Sequence, residues 1–195
     1  MNDNEATELM KYFFELGVLK NYKRSGWWVA GVKDPETIAE HSFRTAVIAF
    51  ILAKLEKRSE AKEIAVSALF HDVCETRLLD MHKISSAYFK IPKEIEEKVV
   101  GDQTERLPVE IRNEFRELIT DTKHRDILKD ADYLEVAIQA KEYYDLGYHE
   151  AWDWVERVGQ VLKTNSAKRL HARMKKMKAS SWWKGLKEDV KKLKY

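Results

Sequence analysis

Residues 65–75 read Ala65-Val66-Ser67-Ala68-Leu69-Phe70-His71-Asp72-Val73-Cys74-Glu75. Six uncharged residues run straight into an imidazole and a carboxylate. A charged group rarely sits in a core unless it is paired or bound to a metal. The same misfit recurs at two other places. His41 shares a helix face with Ile38, Thr45 and Ile48, and Asp132 has Leu128 and Val136 four residues to either side. Two histidines and two aspartates therefore face inward from three segments. Taken singly, an inward histidine is often a hydrogen-bonded core residue, and an aspartate near a helix end is often a cap. The adjacent pair His71–Asp72 after a buried run is more specific.

Around these positions the chain reads as all-α. Residues 5–19 place Leu9, Tyr12, Phe13, Leu16 and Leu19 at helical spacing, and residues 20–35 read as a loop with the pair Trp27–Trp28. Thr37 followed by Glu40 forms a capping box for a helix over 38–56 that is apolar almost all round. Ser59 is the expected cap of a helix over 60–74, and residues 77–91 look irregular. Pro92 and Pro108 each suit the first turn of a further helix. Helices follow over 126–145, closed by Gly147, and over 148–163, with Trp152, Val155, Val158 and Leu162 on one stripe. No stretch reads as a strand.

The 195 residues suit one domain, here 1–167, with an extension over 168–195. That extension holds 11 Lys/Arg against 2 Asp/Glu, a balance of +9, which leaves the body at −7 of the net +2. A lone cysteine, Cys74, excludes an internal disulfide and a thiolate zinc site. The polar, acidic residues 1–8 are no signal peptide, and the longest apolar run is too short to cross a bilayer. A soluble, cytoplasmic protein without a membrane partner is expected. The high charge fits a heat-loving source.

Four segments resemble the 5′-deoxynucleotidase branch of the HD-domain superfamily of phosphohydrolases. Pro35-Glu36-Thr37-Ile38-Ala39-Glu40-His41-Ser42-Phe43-Arg44 is similar to its first-histidine segment, and Ala68 to Glu75 to its paired His-Asp motif. Lys129-Asp130-Ala131-Asp132-Tyr133-Leu134-Glu135 is similar to its last-ligand helix, and Arg24-Ser25-Gly26-Trp27 to its arginine–tryptophan element. The resemblance implies an HD-domain helical bundle, here with a basic helical C-terminal tail. It implies one divalent ion held by His41, His71, Asp72 and Asp132, with Co²⁺ or Mn²⁺ favoured and Ni²⁺, Fe²⁺, Mg²⁺ or Zn²⁺ possible. It further implies hydrolysis of deoxyribonucleoside 5′-monophosphates by a homodimer or higher homo-oligomer. One position departs from the branch: Leu79-Asp80 stands where Gly-Asp is usual.

Phosphate monoesters hydrolyse very slowly in water, and a bound cation supplies a nucleophile, charge neutralisation and alignment. Glu75 shares a helix face with His71 and Asp72, which suits it to orient the attacking water or protonate the leaving 5′-oxygen. Arg24 can grip a phosphate with two parallel hydrogen bonds. Trp27 could wall off the 2′-carbon and so reject ribose, and Asp80 would lie near the sugar. His82, His124, His149 and His171 match no ligand pattern and read as surface or packing residues. No phosphate-cradling glycine loop or serine nucleophile elbow is present.

Two alternatives stay open. One is an HD phosphohydrolase acting on another nucleotide or small phosphate ester. The other is a non-catalytic nucleic-acid or metal-binding module on the same fold. Lysines beside Trp182 and Trp183 could contact nucleic acid, although a solvated helix with a packed underside is the commoner meaning of such a pattern.

Overall fold

The computed structural model describes residues 1–120, 123–184 and 186. Among them every named element is helical. In chain order these are α1 (Asp3–Leu16), α2 (Gly26–Val29), α3 (Ile38–Leu55), α4 (Ala61–Phe70), α5 (Glu75–Leu78) and α6 (Lys83–Tyr88). They continue with α7 (Lys93–Thr104), α8 (Val109–Ile119), α9 (Arg125–Asp145), α10 (Trp152–Val161) and α11 (Asn165–Met174). Short 3₁₀ turns occupy Gly17–Lys20, His149–Ala151 and Ala179–Trp182. No described helix is long and apolar enough to cross a membrane.

The long helices α3 and α9 form the centre. α3 packs along α4 on one side and α9 on the other, while α9 also carries α10 and α11. Their shared core is rich in alanine: Ala49 and Ala53 of α3, Ala61 and Ala68 of α4, and Ala131 and Ala137 of α9 are all buried. Short side chains let helix axes approach closely. Leu52, Ile64 and Ile127 fill the remaining space and are fully buried, each contributing about 1.5–3 kcal/mol. A second cluster joins Trp27 and Ala30 of the α2 region to Ala140 and Tyr143 of α9 and Val155 of α10.

The expected capping box at the head of α3 is present. Thr37 Oγ1 accepts the Glu40 N–H at 3.2 Å, and Glu40 Oε2 accepts the Thr37 N–H at 2.6 Å. An isolated β-bridge pairs Lys23 with Thr37, and Arg24 N–H donates to the Glu36 carbonyl at 3.0 Å. The loop carrying Arg24 is thereby tied to the start of α3.

Several expectations need correction. The first helix starts earlier than residue 5, because Asn2 and Glu5 form a capping box of their own, and it tightens to 3₁₀ at Gly17. Ser59 does not cap α4: its hydroxyl donates to Glu60 Oε2 at 2.7 Å, and Glu60 stands at the N-cap. The helix expected over 60–74 ends at Phe70. There the His71 ring Nδ1–H donates to the Ala68 carbonyl at 2.7 Å, so the side chain competes for a carbonyl that the helical ladder would use. The chain then winds tightly, with Val73 N–H to Phe70 O, Glu75 N–H to Asp72 O and Thr76 N–H to Val73 O. Residues 77–91 are not wholly irregular, since α5 ends and α6 lies within them. α3 is central, but one apolar stripe of it, Phe43, Val47, Phe50, Ile51 and Leu55, is exposed.

The division expected at residues 167 and 168 falls inside α11, whose Ala167 and His171 are buried. The expected tail helix lies in part outside the described residues, at 185 and 187–195.

Candidate metal centre

The four inward-facing residues come from α3, α9 and the turn between α4 and α5. α3 delivers His41 in its first turn, the tight turn after α4 delivers His71 and Asp72, and α9 delivers Asp132. Their donor atoms converge. His41 Nε2 lies 3.4 Å from Asp132 Oδ1 and 3.8 Å from Asp72 Oδ2. His71 Nε2 lies 3.2 Å from Asp72 Oδ2 and 4.0 Å from Asp132 Oδ1. His41, His71 and Asp132 offer ligand atoms that all fall within 4.8 Å of one another.

The set fits a single divalent ion. With metal–ligand bonds of about 2.0–2.2 Å, neighbouring donors stand roughly 3 Å apart and opposed ones roughly 4.2 Å apart. The four separations lie in that span. The ring tautomers fit as well. Nδ1 of His41 meets Glu135 Oε2 at 2.5 Å, and Nδ1 of His71 meets the Ala68 carbonyl at 2.7 Å. Both partners can only accept while Glu135 is ionised, so each neutral ring presents an Nε2 lone pair to the cluster. His71 Nε2 is buried and makes no hydrogen bond despite the nearby Asp72 oxygen. Such an atom wants a partner.

The electrostatics point the same way. Burial and Arg24 oppose a charge on His41, yet hydrogen bonding to Asp132 and Glu135 pushes its pKa up to about 10. Burial likewise opposes a charge on His71, and Asp72 overrides it. Burial would raise Asp72 and Asp132, but the two imidazoles, with Arg24 beside Asp72 and Lys129 beside Asp132, hold both carboxyls well below the usual range. A field that retains protons on buried imidazoles is one that a cation can occupy in their place.

Around the donors lie the other expected residues. Glu75, the first residue of α5, has a buried Oε2 with no hydrogen-bond partner. Burial, then the charges of Asp72 and Asp80, push its pKa up to about 9. Glu75, His71 and Asp72 thus come from a tight turn and the start of a new helix, not from one α-helical face. Arg24 Nη1 stands 3.1 Å from Asp72 Oδ2 and 3.4 Å from Asp80 Oδ1. Asp80 Oδ2 also accepts the Ser25 N–H at 2.5 Å. Trp27 is 3% exposed; its Nε1–H donates to Glu36 Oε1 at 2.9 Å, and its ring packs on Tyr143 and Trp154.

Two features had no assigned role in the sequence. Glu135 is fully buried against His41, and Lys129 Nζ stands 3.4 Å from Asp132 Oδ2. Both are one helical turn from Asp132 on α9, and that spacing was the available signal. His171 is a packing residue: its Nε2–H donates to the Val155 carbonyl, and its ring sits where a side chain on Gly159 would clash. A surface groove of about 660 Å³, lined by Pro35, Glu40, Phe43, Arg44, Val47 and Gln139, includes none of the four donors in its lining.

The chain is similar to several known proteins. The human 5′-deoxynucleotidase HDDC2 is 30% identical over 150 residues, covering 72% of this chain and 71% of its own. A 5′-deoxynucleotidase of Photorhabdus laumondii is 31% identical over 159 residues, covering 72% and 78%. Among solved structures, the AF1432 coding region of Archaeoglobus fulgidus superposes with a TM-score of 0.63 at 32% identity, covering 91% of this chain and 99% of that one. A conserved hypothetical protein of Pyrococcus furiosus gives 0.67 at 26%, covering 86% and 99%. The HD domain model matches residues 16–177, a span that contains every donor described above. With that match over most of its length, the chain belongs to the HD domain family.

Proposed function

We propose that this protein is a metal-dependent 5′-deoxynucleotidase that releases phosphate from deoxyribonucleoside 5′-monophosphates. The observation that carries the reading is the convergence of His41, His71, Asp72 and Asp132 on one point, in a chain whose relatives bear that activity in their names. The HD domain implies a divalent cation, and we assign these four side chains to it, with Co²⁺ or Mn²⁺ favoured. Such an ion supplies water activation and neutralises phosphate charge.

The chain's own groups would do the rest. Arg24, held at the edge of the donor set by Asp72 and Asp80, offers its guanidinium to phosphate oxygens. Glu75, whose buried Oε2 has no hydrogen-bond partner, would deliver a proton to the 5′-oxygen as the phosphorus–oxygen bond breaks and water's oxygen bonds to phosphorus, and would take up in return the proton that the water releases. Lys129 adds a positive charge on the opposite edge, beside Asp132. Asp80 fixes the Arg24 loop and faces the sugar. Trp27, buried beneath that loop, would limit room at the 2′-carbon by supporting its shape.

The exposed stripe Phe43, Val47, Phe50, Ile51 and Leu55 on α3 supports self-association as a homodimer, since contiguous apolar surface of this kind marks interfaces.

The test is phosphate release from a panel of deoxy- and ribonucleoside 5′-monophosphates with each divalent ion. Preferential turnover of the deoxy series with Co²⁺ or Mn²⁺ is expected. Turnover of other phosphate esters alone would move the assignment to a different HD phosphohydrolase. Binding without turnover under any ion would make it a non-catalytic module.

A further inference from the structure

His41 and Arg44 lie one turn apart on α3, and Asp132 and Glu135 lie one turn apart on α9. The two helices meet through both pairs. Glu135 is fully buried, and each of its oxygens has a separate task. Oε2 faces His41 Nδ1 at 2.5 Å, while Oε1 accepts Arg44 Nε–H at 2.9 Å and stands 2.7 Å from Arg44 Nη2. The remainder of the guanidinium is fastened along α9. Its Nη1 donates to both oxygens of Glu142 at 2.9 Å, and its Nη2 donates to Gln139 Oε1 at 2.6 Å. The planar fork, anchored at three side chains, holds Oε1 of Glu135 on the Arg44 side and leaves Oε2 facing His41.

We infer that Glu135, aligned by Arg44, is a positioning residue that keeps the Nδ1 proton on His41 and leaves its Nε2 lone pair for the cation; this rests on the four-donor set being the metal site. A neutral imidazole carries one N–H, and a carboxylate only accepts. The proton therefore stays on Nδ1, the state a ligand histidine requires.

Charge and shape can be separated at this position. Glutamine matches glutamate in size but brings a donor. Arg44 can only donate, so the amide oxygen would turn to Arg44 and the NH₂ group would face His41 Nδ1. Nδ1 must then accept, and the proton moves to Nε2, where it points at the cation's place. A carboxylate-to-amide change beside a catalytic histidine is known to select the wrong tautomer while leaving the geometry intact. Aspartate has the opposite profile: it keeps the charge and the accepting role but is one methylene shorter.

Co²⁺ titration of the metal-free protein, followed by visible absorption and calorimetry, tests this. Glu135→Gln should bind Co²⁺ about 10–100-fold more weakly than the parent, with its helical circular dichroism retained. Glu135→Asp should bind more tightly than Glu135→Gln. If the glutamine variant binds like the parent, or the order of the two is reversed, Glu135 is a packing residue and the inference fails. Should Glu135→Gln not fold, Arg44→Lys decides the matter: it keeps the charge and loses the fork, so weaker Co²⁺ binding is expected and parental affinity overturns the inference. A parent that binds no Co²⁺ would instead refute the metal site beneath it.

Discussion

Ser25 and Asp80 clasp each other twice. The Ser25 N–H donates to Asp80 Oδ2 at 2.5 Å, and the Ser25 hydroxyl donates to the Asp80 carbonyl at 2.8 Å. The clasp joins the Arg24 loop to the segment after α5, and the residue before it is bent into an unusual shape. Leu79 has φ 64° and ψ 159°, a region where a side chain is strained and glycine is at ease. The usual glycine of the branch is absent here, yet the backbone retains the conformation that a glycine would serve.

Glycine at position 79 should therefore give a more stable protein than alanine there. Relief of strain is worth about 1–3 kcal/mol, and glycine's extra unfolded-state freedom takes back about 0.5–1 kcal/mol. Leu79 is 55% exposed, and comparing the two variants cancels the loss of its half-buried side chain. An advantage of about 1 kcal/mol for Leu79→Gly over Leu79→Ala in urea unfolding is expected. Equal or lower stability of the glycine variant would show that the bend is not strained.

Glu75 should be separable from the metal. Glu75→Gln is expected to cut turnover by about 10²–10⁴-fold while the divalent-ion content, measured by elemental analysis, stays at the parental level. Full turnover would remove Glu75 from the proton-handling role. Loss of the ion along with turnover would place Glu75 among the ligands instead.

A second, partly buried network gives a pH test. Glu15 on α1 receives hydrogen bonds from Arg77, Arg106, Gln103 and Thr76. Burial would raise its pKa, but Arg77 and Gln103 together lower it below the usual 4.5. A lowered folded pKa means that the stabilisation is present above 4.5 and is lost as the pH falls through the folded value. Urea midpoints of the parent and Glu15→Gln should thus differ near neutral pH and draw together in acid. A difference that widens in acid would contradict the assignment.

The helical class and the inward polar set were legible because both depend on local pattern. An apolar run ending in His71-Asp72, and a capping box at Thr37 and Glu40, are visible one segment at a time. What escaped depends on partners remote in sequence or on backbone shape. The break after Phe70 is decided by the His71 ring reaching the Ala68 carbonyl. Glu135 looks like any acid on a helix until α3 brings His41 and Arg44 against it, 94 and 91 residues away. The bend at Leu79 had no signal, since leucine does not announce positive φ. The outward apolar stripe of α3 read as core because the sequence does not say which faces of a helix find neighbours.

Anomalous scattering from a crystal grown with Mn²⁺ or Co²⁺ would locate the ion itself. A single peak is expected, bonded at about 2.0–2.2 Å to Nε2 of His41, Nε2 of His71 and carboxylate oxygens of Asp72 and Asp132. Glu36, His41 and Glu135 form a rival group on the other side of the His41 ring. A peak there, or none between the four donors, would contradict the four-donor metal site.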